Sequence, residues 1–412
     1  MINPRQRKMA TAFVLLTVFT YSMGFGIIMP VLPDLIMELE GVSLSEATLI
    51  GGYLAASYAL FQFLLGPLVG NLSDKYGRRP IFLLSLLGFG IDYALMGFAP
   101  NIIWLFIGRS IAGGLGAIFG PANSAMADMS SGKDRAKGFG LVGAAFGIGF
   151  IVGPALGGLL GDFGTRVPFF VASGLAIVNF IFGWFAFPET LAPEKRRPFN
   201  PARANPVGAL ANLRRYPSIL GMALAYFLWM LSSSIYPATW AYFAPAQFGW
   251  DSKTVGYSLA LVGLSMAIVQ TLVLGRSVSR FGERKTAIIG LYAAVFFMLC
   301  YAFITSAALV FIICAFVGIQ GMVMPSLNAM MSRRLPDDMQ GELQGFNGSL
   351  AALASLAAPL TYNTALSHFT APERTSQFAG APFVIAAAVA ILTLLIVTSL
   401  KPATKLREKS QD

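Results

Sequence analysis

About twelve runs of some twenty apolar residues follow one another along this chain, separated by short polar segments. In hydrocarbon there is no water to satisfy backbone N–H and C=O groups. A crossing segment must pair them internally as a helix, or with neighbouring strands in a closed barrel. Barrel strands need only about ten residues and alternate apolar with polar; these runs are longer and do not alternate. The chain is therefore predicted to be an all-α integral membrane protein. The predicted spans are 12–32, 47–69, 81–99, 101–125, 138–160 and 167–187, then 217–243, 254–274, 286–304, 307–331, 342–364 and 382–400. Composition agrees: charged residues make up 12% of the chain, about half the share usual in soluble domains.

The spans divide six and six because the sequence repeats itself. GNLSDKYGRRP (Gly70–Pro80), between the second and third spans, returns as GRSVSRFGERK (Gly275–Lys285) between the eighth and ninth. Gly70 matches Gly275 and Gly77 matches Gly282, an offset of 205; Asn123 matches Asn328 and Pro154 matches Pro359 at the same offset. The expected organisation is a six-helix bundle over 1–187, a proline-rich basic linker over 188–216, and a second bundle over 217–412. Each bundle alone leaves a polar-flecked face unsatisfied, so the two faces are expected to meet around a central cavity. Membrane folds built from repeats commonly hold a substrate between them near mid-membrane.

If the N-terminus is cytoplasmic, 25 of the 29 lysines and arginines fall on inner segments. Only Arg166, Lys253 and Arg374 lie outside, and Arg109 falls within a span. This is the positive-inside pattern, and it places both termini in the cytoplasm. The net charge of +10 then reports topology, not nucleic-acid binding, for which polar basic helices would be needed. The basic start and first apolar run lack a small-residue cleavage site and end at Pro30 and Pro33, as expected of a retained first helix. Cys300 and Cys314 lie in separate spans and read as packing residues. With His368 the only histidine, neither a metal site nor a cofactor is predicted. No GxxxxGK[ST] loop is present, so any transport should draw on an ion gradient.

Asp92 and Arg109 are the charges that fall clearly inside spans. Such charges usually face a partner or a cavity. They sit on the third and fourth spans, which turn near Pro100, eight residues before the turn and nine after it. At 1.5 Å per residue both lie about 12–13 Å deep, so a pair is feasible. It reads either as a static brace or as the group through which a proton acts, with Asp34 the next candidate for proton coupling. In the repeated turn, glycines allow close approach and positive φ. Asp74 is expected near the start of the eleventh span at Gly341, and Arg78 near Asp128 at the end of the fourth. Those contacts are expected only while the cytoplasmic side is shut, which would make Gly70, Asp74, Gly77, Arg78, Arg79 and Asp128 a gate. Gly149, Gly153 and Gly157 share one helical face at four-residue spacing beside Pro154 and Gly158, which suits close packing and a rocking interface.

With these residues in view, the chain resembles the major facilitator superfamily over nearly all of its length. Three signatures carry the resemblance. They are the turn Gly70, Asp74, Gly77, Arg78, Arg79; Arg109 with Gly113 and Gly116; and Gly149-x-x-x-Gly153-Pro154-x-x-Gly157-Gly158, a pattern that the family associates with antiporters. MGFGIIMPVLP, GIDYALMGFAP and FGWDSKTVGYSLALVGL are similar to the bacterial tetracycline/proton antiporters and their drug-exporting relatives. The resemblance implies a multi-pass protein of the bacterial inner membrane that exports small molecules by alternating access in exchange for protons, and is expected to be monomeric. The chain departs from the tetracycline exporters at three places. Tyr21 stands where they carry an acid, Met266 where they carry a histidine, and Ala294 where they carry a second acid; Asp92 is kept. The polar cavity candidates are Tyr21, Gln62, Asn123, Tyr236, Gln270, Gln320, Asn328 and Asn347, with Trp240 among them. So few charges suit a lipophilic neutral or weakly cationic substrate. Two other readings stay open: a proton-coupled importer of a small nutrient on the same fold, and a membrane protein that does not transport.

Overall fold

The computed structural model describes residues 4–116, 118–129, 134–199, 217–335 and 339–400. Every regular element among them is helical. Among the described residues ten helices are long and apolar enough to cross a membrane. In the first half they are α1 (Gln6–Ile28), α2 (Leu44–Tyr76), α3 (Arg78–Phe98), α4 (Ile102–Met129), α5 (Lys137–Gly161) and α6 (Val167–Ala186). In the second half the first is α7 (Ile219–Phe248). The next, Ser252–Phe303, has 52 residues, roughly 78 Å of helix against a hydrocarbon core of about 30 Å. It turns at Gly282, where φ is 76°, so it is two spans, α8 before the turn and α9 after it. Ala307–Ser332 follows as α10, Gln340–Thr370 as α11 and Ala381–Ser399 as α12. The 31 residues of α11 are long enough to cross but include Asn347 and Asn363, which lower its apolarity. Twelve membrane-length segments result.

Local chemistry sets the ends. Pro30 follows the end of α1 at Ile28, and Pro33 sits in the first turn of a short helix, Leu32–Glu40. Ser43 begins α2 with a reciprocal capping box to Glu46. Asn101 accepts the Ile103 amide at 3.2 Å to start α4. Asp251 accepts the Thr254 amide at 2.8 Å to start α8. Gly77, with φ 109°, makes the turn between α2 and α3, and Gly282 makes the matching turn 205 residues later.

Glycines bring α1 and α5 into backbone contact. A Cβ at Gly149, Gly153 or Gly157 would fall 2.6, 2.5 or 2.0 Å from the carbonyl oxygens of Phe19, Met23 and Ile27. Between the halves, α2 runs along α11 and α5 along α8. The cross-half contacts gather towards one end. There Ser45 Oγ donates to the Ser367 carbonyl at 2.7 Å, Ser252 Oγ donates to the Pro30 carbonyl at 2.8 Å, and Lys253 pairs with Asp162 at 2.8 Å. Gly51 lies against Tyr242, and Gly256 against Pro154. Towards the opposite end, Gly140, Gly143 and Gly147 of α5 and Gly345 and Gly348 of α11 face open space. The halves therefore close on each other at the end that holds Asp34 and Ser45, and part towards the end that holds the two repeated turns. Most of the expected linker, residues 200–216, lies outside the described residues.

Candidate functional site

The two charges inside the first half meet. Asp92 of α3 is 0% exposed and Arg109 of α4 is 6% exposed. Arg109 binds the carboxylate with two groups: Nε lies 3.3 Å from Oδ1, and a terminal nitrogen bonds Oδ2. Gly108 makes room, since a Cβ there would fall 2.6 Å from Asp92 Oδ1. The guanidinium also faces two tyrosine rings, 5.6 Å from the centre of Tyr58 and 5.7 Å from that of Tyr93. At the matching positions in the second half stand Phe297 and Cys314, the latter in contact with Tyr301 Oη at 3.4 Å. The fold is duplicated but the buried charge is not.

Two predicted cavity residues join this cluster through a third that sequence reasoning missed. The hydroxyls of Tyr21 and Tyr58 lie 3.0 Å apart, and Gln62 Nε2 donates to Tyr58 Oη at 3.4 Å. In the second half Asn347 Nδ2 donates to Asn328 Oδ1 at 2.7 Å, linking α11 to α10. Asn123 and Gln270 are exposed. Trp240 does not line a cavity: it is 1% exposed, donates to Ser258 Oγ at 2.9 Å and packs among Phe243, Tyr301 and Phe383. Tyr236 belongs to the same aromatic core and donates to Gln320 Oε1 at 3.3 Å. An indole or phenol that fills its own bundle's core satisfies the aromatic pattern as well as a binding site does.

The expected contact between Arg78 and Asp128 is present. Arg78 meets Asp128 at 3.4 Å and Asp74 at 2.7 Å, but all three belong to the first half, and the pair exists while the halves are parted at this end. It braces one bundle. Glu189, another residue missed from sequence, accepts the Arg78 and Arg79 amides at 2.8 and 3.3 Å, capping α3 in place of a side chain on Gly77. Arg79 donates to the Trp184 carbonyl at 2.6 Å. The second half carries the same brace with its signs exchanged: Glu283 pairs with Arg333, each 205 residues beyond Arg78 and Asp128. Gly70 faces open space. On α5, Gly149, Gly153 and Gly157 serve packing within the first half, whereas Pro154 and Gly158 meet α8 of the second.

At the closed end, Asp34 accepts a hydrogen bond from Ser252 across the halves. Asp34 is exposed as a residue, but partial desolvation of its carboxyl against the other half pushes it above its usual range; the Ser252 hydroxyl lowers it, and nearby Asp251 raises it further.

Two helical halves of six spans, closed at one end and holding a buried ion pair, define a secondary membrane transporter of the alternating-access kind. The model of the Major Facilitator Superfamily matches residues 14–359, and the chain belongs to that superfamily. It is 39% identical over 352 residues to the class C tetracycline resistance protein of Escherichia coli, covering 85% of this chain and 88% of that one. To the class G tetracycline resistance protein of Vibrio anguillarum it is 37% identical over 364 residues, covering 88% and 92%. Among solved structures, a human organic anion transporter superposes with a TM-score of 0.71 at 24% identity, over 96% of this chain and 100% of that one.

Proposed function

We propose that this protein exports lipophilic small molecules, of the kind its relatives' names associate with antibiotic resistance, in exchange for protons. The observation that carries the proton coupling is the buried Asp92–Arg109 pair, held at the edge of a polar cluster that includes Tyr21 and Gln62. A buried carboxyl group prefers to be neutral, and an adjacent guanidinium favours its ionised form. Arginine stays protonated, so Asp92 is the group that gains and loses the proton. Uptake from outside frees Arg109 from its counter-ion and loosens the α3–α4 wall; release inside restores the pair.

The positive-inside pattern makes the end of the repeated turns cytoplasmic, with both termini on that side. The conformation is then open to the cytoplasm and shut outside, ready to load a molecule from within. The rocking units are the bundles 1–187 and 217–412, joined by 188–216. The protein works as a monomer in the bacterial inner membrane. Tyr21, Gln62, Asn123, Gln270, Asn328 and Asn347 are the candidate substrate contacts.

The reading is tested by expressing the chain in a bacterium stripped of its own pumps and measuring resistance to a panel that includes tetracycline and ethidium. The expected result is reduced drug accumulation that a protonophore abolishes. Increased uptake of the panel, or resistance untouched by the protonophore, would overturn it.

A further inference from the structure

Tyr58 belongs neither to the ion pair nor to the predicted substrate contacts, yet it touches both. Its ring lies under the Arg109 guanidinium at 5.6 Å. Its hydroxyl lies 3.0 Å from that of Tyr21 and accepts from Gln62 at 3.4 Å. Two glycines of α4 form its seat: a Cβ at Gly113 would fall 2.3 Å from the Tyr58 carbonyl oxygen, and one at Gly116 2.9 Å from its hydroxyl. The spacing of Arg109, Gly113 and Gly116 thus brings the guanidinium over the ring while leaving the phenol oxygen to α1 and α2.

We propose that Tyr58 is the positioning residue through which substrate occupancy and the protonation of Asp92 sense each other. The proposal rests on the exporter reading above. A phenol has one hydrogen to donate and two lone pairs to accept. A molecule hydrogen-bonded to Tyr21 or Gln62 redirects the hydroxyl of Tyr58, and with it the ring on which the guanidinium rests. In the other direction, a neutral Asp92 leaves the guanidinium to the faces and oxygens around it. Among the described residues the titratable and charged groups in this cluster are Tyr21 from α1, Tyr58 from α2, Asp92 and Tyr93 from α3, and Arg109 from α4. Tyr58 joins the ends of that set. Linkage then makes the effect reciprocal: a proton on Asp92 weakens substrate binding, and bound substrate favours release of the proton.

The test measures binding of tetracycline, with ethidium in parallel, to the purified full chain from acid to mildly alkaline pH. In the wild-type protein, affinity is expected to rise with pH by a factor in the ordinary coupling range of about 5- to 150-fold. Tyr58→Phe keeps the ring and removes the hydroxyl; it should still bind but with an affinity that no longer changes with pH. Tyr21→Phe breaks the same link from α1 and should flatten the profile too. A merely structural role for Tyr58 would lower affinity at every pH alike. A full pH profile in either variant would overturn the proposal, even where Asp92→Asn is flat. If Asp92→Asn itself keeps the full profile, or the wild type binds neither probe, it is the exporter reading that falls, and this inference with it.

Discussion

Removing one partner of a buried ion pair leaves the other charge without a counter-ion, at a cost of about 3–5 kcal/mol. Arg109→Ala should therefore lower the melting temperature of the purified protein sharply, because it strands a carboxylate that is 0% exposed. Asp92→Asn also removes a counter-ion, but it leaves Arg109 an acceptor oxygen and the faces of Tyr58 and Tyr93, so it should lose less stability, fold and bind substrate while losing proton-driven transport. Wild-type rates in vesicles under a proton gradient would show the pair to be structural. Asp34 makes a separate prediction at the closed end. Its pKa is raised in this outside-shut state, so protonation favours that state. The contribution is complete below the ordinary carboxyl range, near about 4, and fades as pH rises through the raised value. Asp34→Asn should hold the outside shut at every pH, seen as pH-independent protection of a cysteine placed at Ser45, which is buried at this end, from external thiol reagents. Asp92, Arg109 and Asp34 were legible in the sequence because a charge in or beside an apolar run has few ordinary explanations. Tyr58 and Tyr93 were not, since a tyrosine in such a run is by default a packing residue, and only its neighbours give it another use.

Elements were legible to the extent that run length governs them. The spans were found, but their ends were not: α2 continues to Tyr76 and α11 reaches Thr370, because a helix carries on into the interface wherever its backbone bonds remain satisfied. The helix Leu32–Glu40 was not predicted; it falls between the first expected span, 12–32, and the second, 47–69. Short π and 3-10 stretches at Val269–Val273 and Val317–Met322 carry no compositional mark. The glycine spacing on α5 was readable, but not which helix it faces. That face is α1, through backbone atoms that cannot yield. Gly157→Leu should therefore lower the melting temperature, with overpacking costing at least about 1–3 kcal/mol. Gly143→Ala, where nothing lies within 4 Å, should melt like the wild type. Equal melting of the two variants would deny that α1 and α5 are locked together.

The duplication was visible from the repeated turn, yet the use each half makes of it was not. The pairs Arg78–Asp128 and Glu283–Arg333 keep one brace in both bundles while exchanging its signs, so matching identical residues across the repeat could not find the second. Both braces tie a turn to its own bundle and let each half move as a unit. What must then break during transport is the contact between halves, and in this state that lies at the end of Asp34 and Ser45. There Ser45 Oγ and Ser367 Oγ are 3.4 Å apart, one from each half. Cysteines at both positions, with Cys300 and Cys314 replaced by serine, should form a disulfide that fixes the outside shut. Drug export should stop when the bond forms and return on reduction, while loading from the cytoplasmic side persists throughout. Export that continues with the bond intact, confirmed by the absence of free thiol, would mean that this end never opens and that molecules leave by a route other than between the halves.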